Sequence, residues 1–118
     1  MLIRNVLAGV AVRDLSAAMR WYENIFERPA DALPMPEVAE WRAEKGGWIQ
    51  VFHDEARAGS SSVTLSVGDL DRTVDALKKK GIHATNRKDT KTVKTALISD
   101  PDGNRVVLAE PQTDGIAQ

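Results

Sequence analysis

The chain has 118 residues, with 16 Lys and Arg against 17 Asp and Glu and no cysteine. That length suits one domain with one real core. The net charge of −1 argues against general nucleic-acid or membrane-surface binding, and the missing Cys rules out disulfides, thiolate metal sites and Cys nucleophiles.

In chain order, the apolar run 6–12 alternates like a strand, is too short to cross a bilayer and ends at Arg13-Asp14. A cytoplasmic domain without a secretory leader is expected. Leu15, Met19, Tyr22, Ile25 and Phe26 then recur at helical spacing, with Asp14 as the N-cap. Residues 29–37, with Pro29, Pro34 and Pro36, are expected as a loop with room for one short edge strand. Strands are predicted at 38–44 and 48–53, joined at Gly46-Gly47. Residues 54–61 are the natural linker between two halves. A strand over 62–67 leads to a second helix from Leu70, capped by Asp69 and stopped by Gly81. Strands at 82–86, 92–99 and 104–109 follow, the last two joined by Asp100-Pro101-Asp102-Gly103. Residues 111–118 read as a frayed tail.

This order contains an internal repeat. Val10-Ala-Val-Arg-Asp-Leu15 and Leu65-Ser-Val-Gly-Asp-Leu70 lie 55 residues apart, each with strand alternation running into a capped helix. The chain therefore reads as β-α-β-β-β written twice, an α+β fold of two modules over about 1–55 and 60–111. Val6, Ala8, Val10, Val12, Ile49, Val51, Val63, Leu65, Val67, Val106 and Leu108 mark the sides expected to pack on helices. The opposite sides carry Leu7, Gly9 and Ala11; Trp48, Gln50 and Phe52; Ser62, Thr64 and Ser66; and Arg105, Val107 and Ala109. That mixture of small, aromatic and polar residues suits a ligand surface better than a second core.

The chain resembles the vicinal oxygen chelate superfamily, the glyoxalase, bleomycin-resistance and extradiol-dioxygenase group. The residues carrying the resemblance are Val12-Arg13-Asp14-Leu15 leading to Trp21-Tyr22, Val67-Gly68-Asp69-Leu70 leading to Lys80-Gly81, and Asp100-Pro101-Asp102-Gly103-Asn104. The resemblance implies two βαβββ modules forming an open, cup-shaped mixed sheet with helices outside, and commonly a homodimer. It also implies that metal-dependent members would carry ligands at the positions of Leu7, Gln50, Ser62 and Val107. Leu7 and Val107 have no donor atom, and a Ser hydroxyl compensates little of a divalent charge. No metal and no other cofactor is therefore expected.

The remaining candidates each have a plainer reading. His53, Asp54 and Glu55 are ligand-type residues, but neighbours on a strand point to opposite faces and read better as a solvated strand end. His83 reads as a surface residue. Residues 78–94 hold seven Lys and Arg and one acid, Asp89, while 14–55 hold nine acids and four bases. The basic run lacks interleaved aromatics for base stacking, and its lysines suit a helix C-terminus and a protected sheet edge. Opposite charge on the two halves can also steer a head-to-tail dimer. Trp41, Trp48 and Phe52 lie on one hairpin and can either stack on a flat ligand or pack in a core. Arg42 and Arg105 are the cations placed to meet a ligand carboxylate.

The reading that follows is a metal-free protein binding a small organic ligand, in the manner of the bleomycin-resistance members that sequester a drug without catalysis. Trp41, Trp48, Gln50, Phe52, Ser62, Thr64 and Arg105 are the expected ligand contacts. The alternatives are a lyase- or dioxygenase-type enzyme with an atypical metal site around Gln50 with His53 or a partner chain's residues, and a structural or regulatory module with a self-filled cup.

Overall fold

Two aspartates each end a strand and start a helix. In the computed structural model, which describes residues 1–118, strand β1 (Leu7–Val12) leads through Asp14 into helix α1 (Leu15–Phe26). Asp14 Oδ1 accepts from the Ala17 N–H at 3.2 Å, supplying a partner to a first-turn amide that has none within the helix. Asp69 does the same for helix α2 (Leu70–Lys79), accepting from the Arg72 N–H at 3.1 Å. The other strands are β2 (Ala32–Met35), β3 (Val38–Arg42), β4 (Trp48–His53), β5 (Ser62–Ser66), β6 (Thr85–Asp89), β7 (Val93–Ser99) and β8 (Arg105–Pro111).

The strands make two four-stranded mixed sheets, ordered β1-β4-β3-β2 and β5-β8-β7-β6. In each, the first strand pairs in parallel with the last of its module, and the remaining pairs are antiparallel. The fold is thus α+β, and the module order β-α-β-β-β occurs twice. By its contacts the chain divides into one unit of residues 1–61 with 100–104, and another of 62–99 with 105–118.

In the first unit, Val10, Val12, Ala39, Trp41, Ile49 and Val51 are buried with Ala18 and Tyr22 of α1. These are alternate strand positions facing one side, so a single helix covers the apolar face. In the second unit Val63, Ala96, Ile98, Val106 and Leu108 are buried with Leu70 and Leu77 of α2. Glu110 adds a second acceptor at the start of α2, taking the Leu70 N–H at 2.8 Å. That bond, helped by the Gln112 amide, holds its carboxyl below the usual range.

Three expectations need correction. The strand placed at 82–86 begins at Thr85, because the preceding residues close the helix. Ile82 N–H bonds to the Leu77 carbonyl at 3.0 Å and Gly81 N–H to the Lys78 carbonyl at 3.0 Å, with Gly81 at φ 81°. This C-terminal motif needs a left-handed residue, and Gly supplies it without steric cost. Val6 lies outside β1 and is 65% exposed. Segment 54–61 is more than a linker, since its backbone wedges against the 100–104 turn. Gly59 sits at φ +89°, and a Cβ there would lie 2.5 Å from the Asp102 carbonyl oxygen.

That turn is the polar centre of the first unit. The buried Asp100 carboxylate accepts four bonds: Oδ1 from the N–H groups of Asp102 (3.0 Å) and Asn104 (2.9 Å), Oδ2 from Tyr22 Oη (2.9 Å) and Asn104 Nδ2 (2.8 Å). Asn104 Nδ2 also donates to the Ala11 carbonyl at 2.8 Å, and its Oδ1 accepts from the Ser61 N–H at 2.9 Å. Burial first, and then the adjacent Asp100 carboxylate, push the Tyr22 hydroxyl far above its ordinary range.

Tyr22 is the chain's one tyrosine, so ultraviolet absorbance reads this network directly. A raised folded-state value means that the stability Tyr22 contributes is complete below the unfolded value of about 10 and declines above it. The folded protein should show no phenolate signal as pH passes 10, and the signal should appear only together with unfolding. Tyr22→Phe should cost about 1.5–3 kcal/mol near neutrality by removing a hydrogen bond to a charged group. A phenolate titrating normally in the folded state would contradict the network.

Candidate ligand-binding face of the first sheet

Strand register decides which side chains of the first sheet share its second face. Leu7 pairs with Trp48 and Trp48 with Arg42; Gly9 pairs with Gln50 and Gln50 with Glu40; Ala11 pairs with Phe52 and Phe52 with Val38. Directly paired residues point the same way, so these make three rows across the sheet. Ala32 extends the middle row beyond Glu40, and Met35 extends the third beyond Val38. Trp48, Gln50 and Phe52 are all partly exposed, while Ile49 and Val51 between them are buried.

Each row has its own chemistry. The Arg42 guanidinium carbon lies 6.0 Å from the Trp48 ring centroid, and that of Arg57 lies 5.4 Å from the Phe52 ring. Both are within cation–π reach. Between the two aromatics, Gln50 Nε2 donates to Glu40 Oε2 at 2.7 Å. The middle row is low at Gly9, where a Cβ would lie 3.2 Å from Phe52 Cε1. Only the missing side chain lets the Phe52 ring lean over this position.

The structure brings Trp48, Gln50 and Phe52 together and separates Trp41 from them. Trp41 pairs with Ile49 and is 2% exposed, on the helix-facing side. Its ring centroid lies 6.0 Å from that of Tyr22 and 5.6 Å from that of Phe26, and its Nε1–H donates to the Arg28 carbonyl at 3.1 Å. Trp41 is a core residue with a satisfied donor. Glu40 is the residue of this face that sequence reasoning missed. The signal was present: Glu40 and Arg42 alternate with Ala39 and Trp41, which already assigns the two polar residues to the face opposite the core.

In the second unit, Ser62 pairs with Arg105, Thr64 with Val107 and Ser66 with Ala109, giving that sheet its own hydroxyl-rich face. Ser62, Thr64, Ser66 and Arg105 are exposed.

The four positions at which the resemblance puts metal ligands do not fit a divalent cation. Leu7 and Val107 are hydrocarbon, and Ser62 and Gln50 offer only uncharged oxygens. No group of three or more His, Cys, Asp or Glu side chains is placed to hold an ion. An alternative set pairing Gln50 with His53 fails on parity, since residues three apart on one strand face opposite ways. Asp54 is taken by Arg57, whose Nε lies 2.8 Å from Oδ2, and that hydrogen bond holds the Asp54 carboxyl below its usual range.

A polar cleft of about 670 Å³ lies at the end of the β3–β4 hairpin, lined by Arg28, Asp31, Arg42 and residues 43–46. Two of its charges, Arg28 and Asp31, are committed to each other. Asp31 Oδ2 accepts from Arg28 Nη2 at 2.9 Å and from the Arg42 N–H at 2.7 Å, and Arg28 Nη2 also donates to the Arg42 carbonyl. Within the basic 78–94 stretch, Arg87 pairs with Asp71 at 2.8 Å and Asp89 at 2.7 Å.

Residues 5–108 match the family model of the Glyoxalase/Bleomycin resistance protein/Dioxygenase superfamily, and the chain belongs to that superfamily. A glyoxalase/bleomycin resistance protein from Catenulispora acidiphila DSM 44928 is 30% identical, with a TM-score of 0.81 over 90% of this chain and 96% of that one. TnmS3, an antibiotic-binding protein from Streptomyces sp. CB03234, is 24% identical, with a TM-score of 0.81 over 94% of this chain and 98% of that one. A virulence protein from Salmonella typhimurium, 19% identical, has a TM-score of 0.71 over 94% of this chain and 99% of that one. No curated protein matches the sequence. No helix is long and apolar enough to cross a membrane.

The two tryptophans of the hairpin should respond oppositely to truncation. Trp41→Ala should cost about 3–5 kcal/mol in urea unfolding, the usual loss for a buried large aromatic. Trp48→Ala should cost far less, because its ring is partly in water. Equal losses would contradict the register described here.

Proposed function

We propose that this chain is a metal-free binding protein for a small, flat organic ligand, of the bleomycin-resistance type within its superfamily. The observation that carries the reading is the second face of the first sheet. There Trp48 and Phe52 stand on either side of the Gln50–Glu40 pair, with the Phe52 ring leaning over Gly9. Exposed aromatics flanking hydrogen-bonding groups are what recognition of a flat, partly polar molecule needs. The hydrocarbon side chains at Leu7 and Val107 support binding over metal-assisted chemistry. Ser62, Thr64 and Arg105 are proposed as further contacts from the second unit's own face. The antibiotic-binding protein TnmS3 offers a precedent for this fold in such a role. The reading includes a cytoplasmic homodimer: Leu7, Leu33 and Met35 stay 51%, 63% and 59% exposed, apolar surface that a second copy would cover.

Thermal unfolding tests the reading. Protein purified without chelator or polyhistidine tag should carry no stoichiometric transition metal, and its melting temperature should not move with Ni²⁺, Zn²⁺, Mn²⁺ or Fe²⁺. A ligand at about a hundredfold its Kd adds about 2.7 kcal/mol, so a screen of aromatic compounds should give clear upward shifts that Trp48→Ala removes. Light scattering of the same sample should give twice the chain mass. Stoichiometric bound metal that raises the melting temperature would overturn the proposal in favour of a metal-dependent enzyme.

A further inference from the structure

The middle row of the first sheet's second face is rich in acceptors and carries a charge that no cation of the chain pairs with. Glu40 is partly buried, and its hydrogen-bond partner is a neutral amide, Gln50 Nε2 at 2.7 Å. A carboxylate only accepts, so the nitrogen end of Gln50 must face it, and Gln50 Oε1 is turned away as an acceptor. Glu40 Oε1 and Gln50 Oε1 therefore take no part in that bond and remain as acceptors. Arg57, the cation over Phe52, is already paired to Asp54 at 2.8 Å. Arg42 lies over the Trp48 ring in the neighbouring row.

Geometry adds a size and a shape. Trp48 and Phe52 are four residues apart on β4, so their α-carbons stand about 13 Å apart at the usual rise of about 3.3 Å per residue. Ala32, at one outer position of the middle row, is too small to fill that gap, while at the other the Phe52 ring leans over Gly9. The result is a trough open toward Ala32, with aromatic sides and a partly buried carboxylate in its middle.

We infer that this trough selects a planar cation, an aromatic amine or a fused-ring cation whose N–H groups meet Glu40 and the Gln50 carbonyl while its rings stack on Trp48 and Phe52. Glu40 is the residue that sets this specificity, and Gln50 positions it. Partial burial strengthens the attraction, because a charge with restricted water access is less screened than a surface one. The inference rests on the binding role proposed above and narrows it to one ligand chemistry.

Equilibrium dialysis with proflavine, a planar cation, and anthracene carboxylate, an anion of similar outline, tests it. The wild-type protein should bind proflavine at least about tenfold more tightly, the minimum for a hydrogen-bonded charge contact. Glu40→Gln keeps the shape and removes the charge; it should erase that preference by weakening proflavine binding about tenfold without weakening anthracene carboxylate binding. Equal binding of both probes, unmoved by Glu40→Gln, would overturn the cation preference and leave an aromatic-binding face standing. Tighter binding of the anion, lost in Arg42→Ala, would overturn it in favour of an arginine-anchored ligand. Binding of neither probe would also overturn it, and the thermal screen then decides separately whether the chain binds small molecules at all.

Discussion

The first unit depends on how the free edge of β1 is satisfied. β1 is the outermost strand of its sheet, so half its backbone groups face away from β4 with no strand to receive them. At the C-terminal end of β1, side chains take the strand's place. Ser61 Oγ accepts from the Ala11 N–H at 3.0 Å, Asn104 Nδ2 donates to the Ala11 carbonyl at 2.8 Å, and Asp102 Oδ2 accepts from the Arg13 N–H at 3.2 Å. Asn104 reaches this position because Asp100 grips both its backbone and its side chain, and Asp100 is held in turn by Tyr22 of α1. A buried carboxylate is costly unless its acceptor sites are filled, and four donors fill them here. The Asp-Pro-Asp-Gly-Asn run thus does more than turn the chain between β7 and β8; it belongs to the first unit, where Asp100 and Asn104 are buried.

With β1 fixed, register transmits its position across the sheet. β4 pairs in parallel with β1, and β3 pairs antiparallel with β4, so one row of side chains sets the next. A slip of one residue would exchange the faces, sending Trp41 and Ile49 to the exposed side and Glu40 and Gln50 into the apolar core. The burial of Trp41 against Tyr22 and Phe26 and the Gln50–Glu40 hydrogen bond are two consequences of the same register. Packing on one face and the recognition proposed for the other are therefore not independent. The aromatic cluster that stabilises α1 also holds β3 where Glu40 meets Gln50.

Much of this was legible in the sequence because it depends on local rules. Asp14 and Asp69 are caps by side-chain chemistry, Gly81 ends a helix by its left-handed backbone, and the two copies of the module repeat the same signals. Alternation also separated Ile49 and Val51 from Trp48, Gln50 and Phe52. Trp41 reads from sequence as either a stacking or a core residue, because a Gly-Gly pair does not fix the conformation of residues 43–47, and the structure places it in the core. The outward face of Glu40 is legible in the same alternation, but its hydrogen bond to Gln50, ten residues away, is not. The start of β6 was misplaced because Ile82, which looks like a strand residue, is used by the helix C-terminal motif. The role of Asn104 was hidden for a different reason. Its partners Ala11 and Ser61 lie 93 and 43 residues away, and no local pattern encodes such distances.

The central claim is that the first sheet keeps its core and its recognition surface on opposite faces, with ligand meeting only the second. The three tryptophan indole N–H groups report on this separately in an amide correlation spectrum titrated with proflavine. The account predicts that Trp48, the Gly9 amide and the Gln50 side-chain amide shift together and saturate at one concentration, while the Trp41 indole, bonded to the Arg28 carbonyl, stays in place. Movement of the Trp41 indole with a silent Trp48 would contradict it.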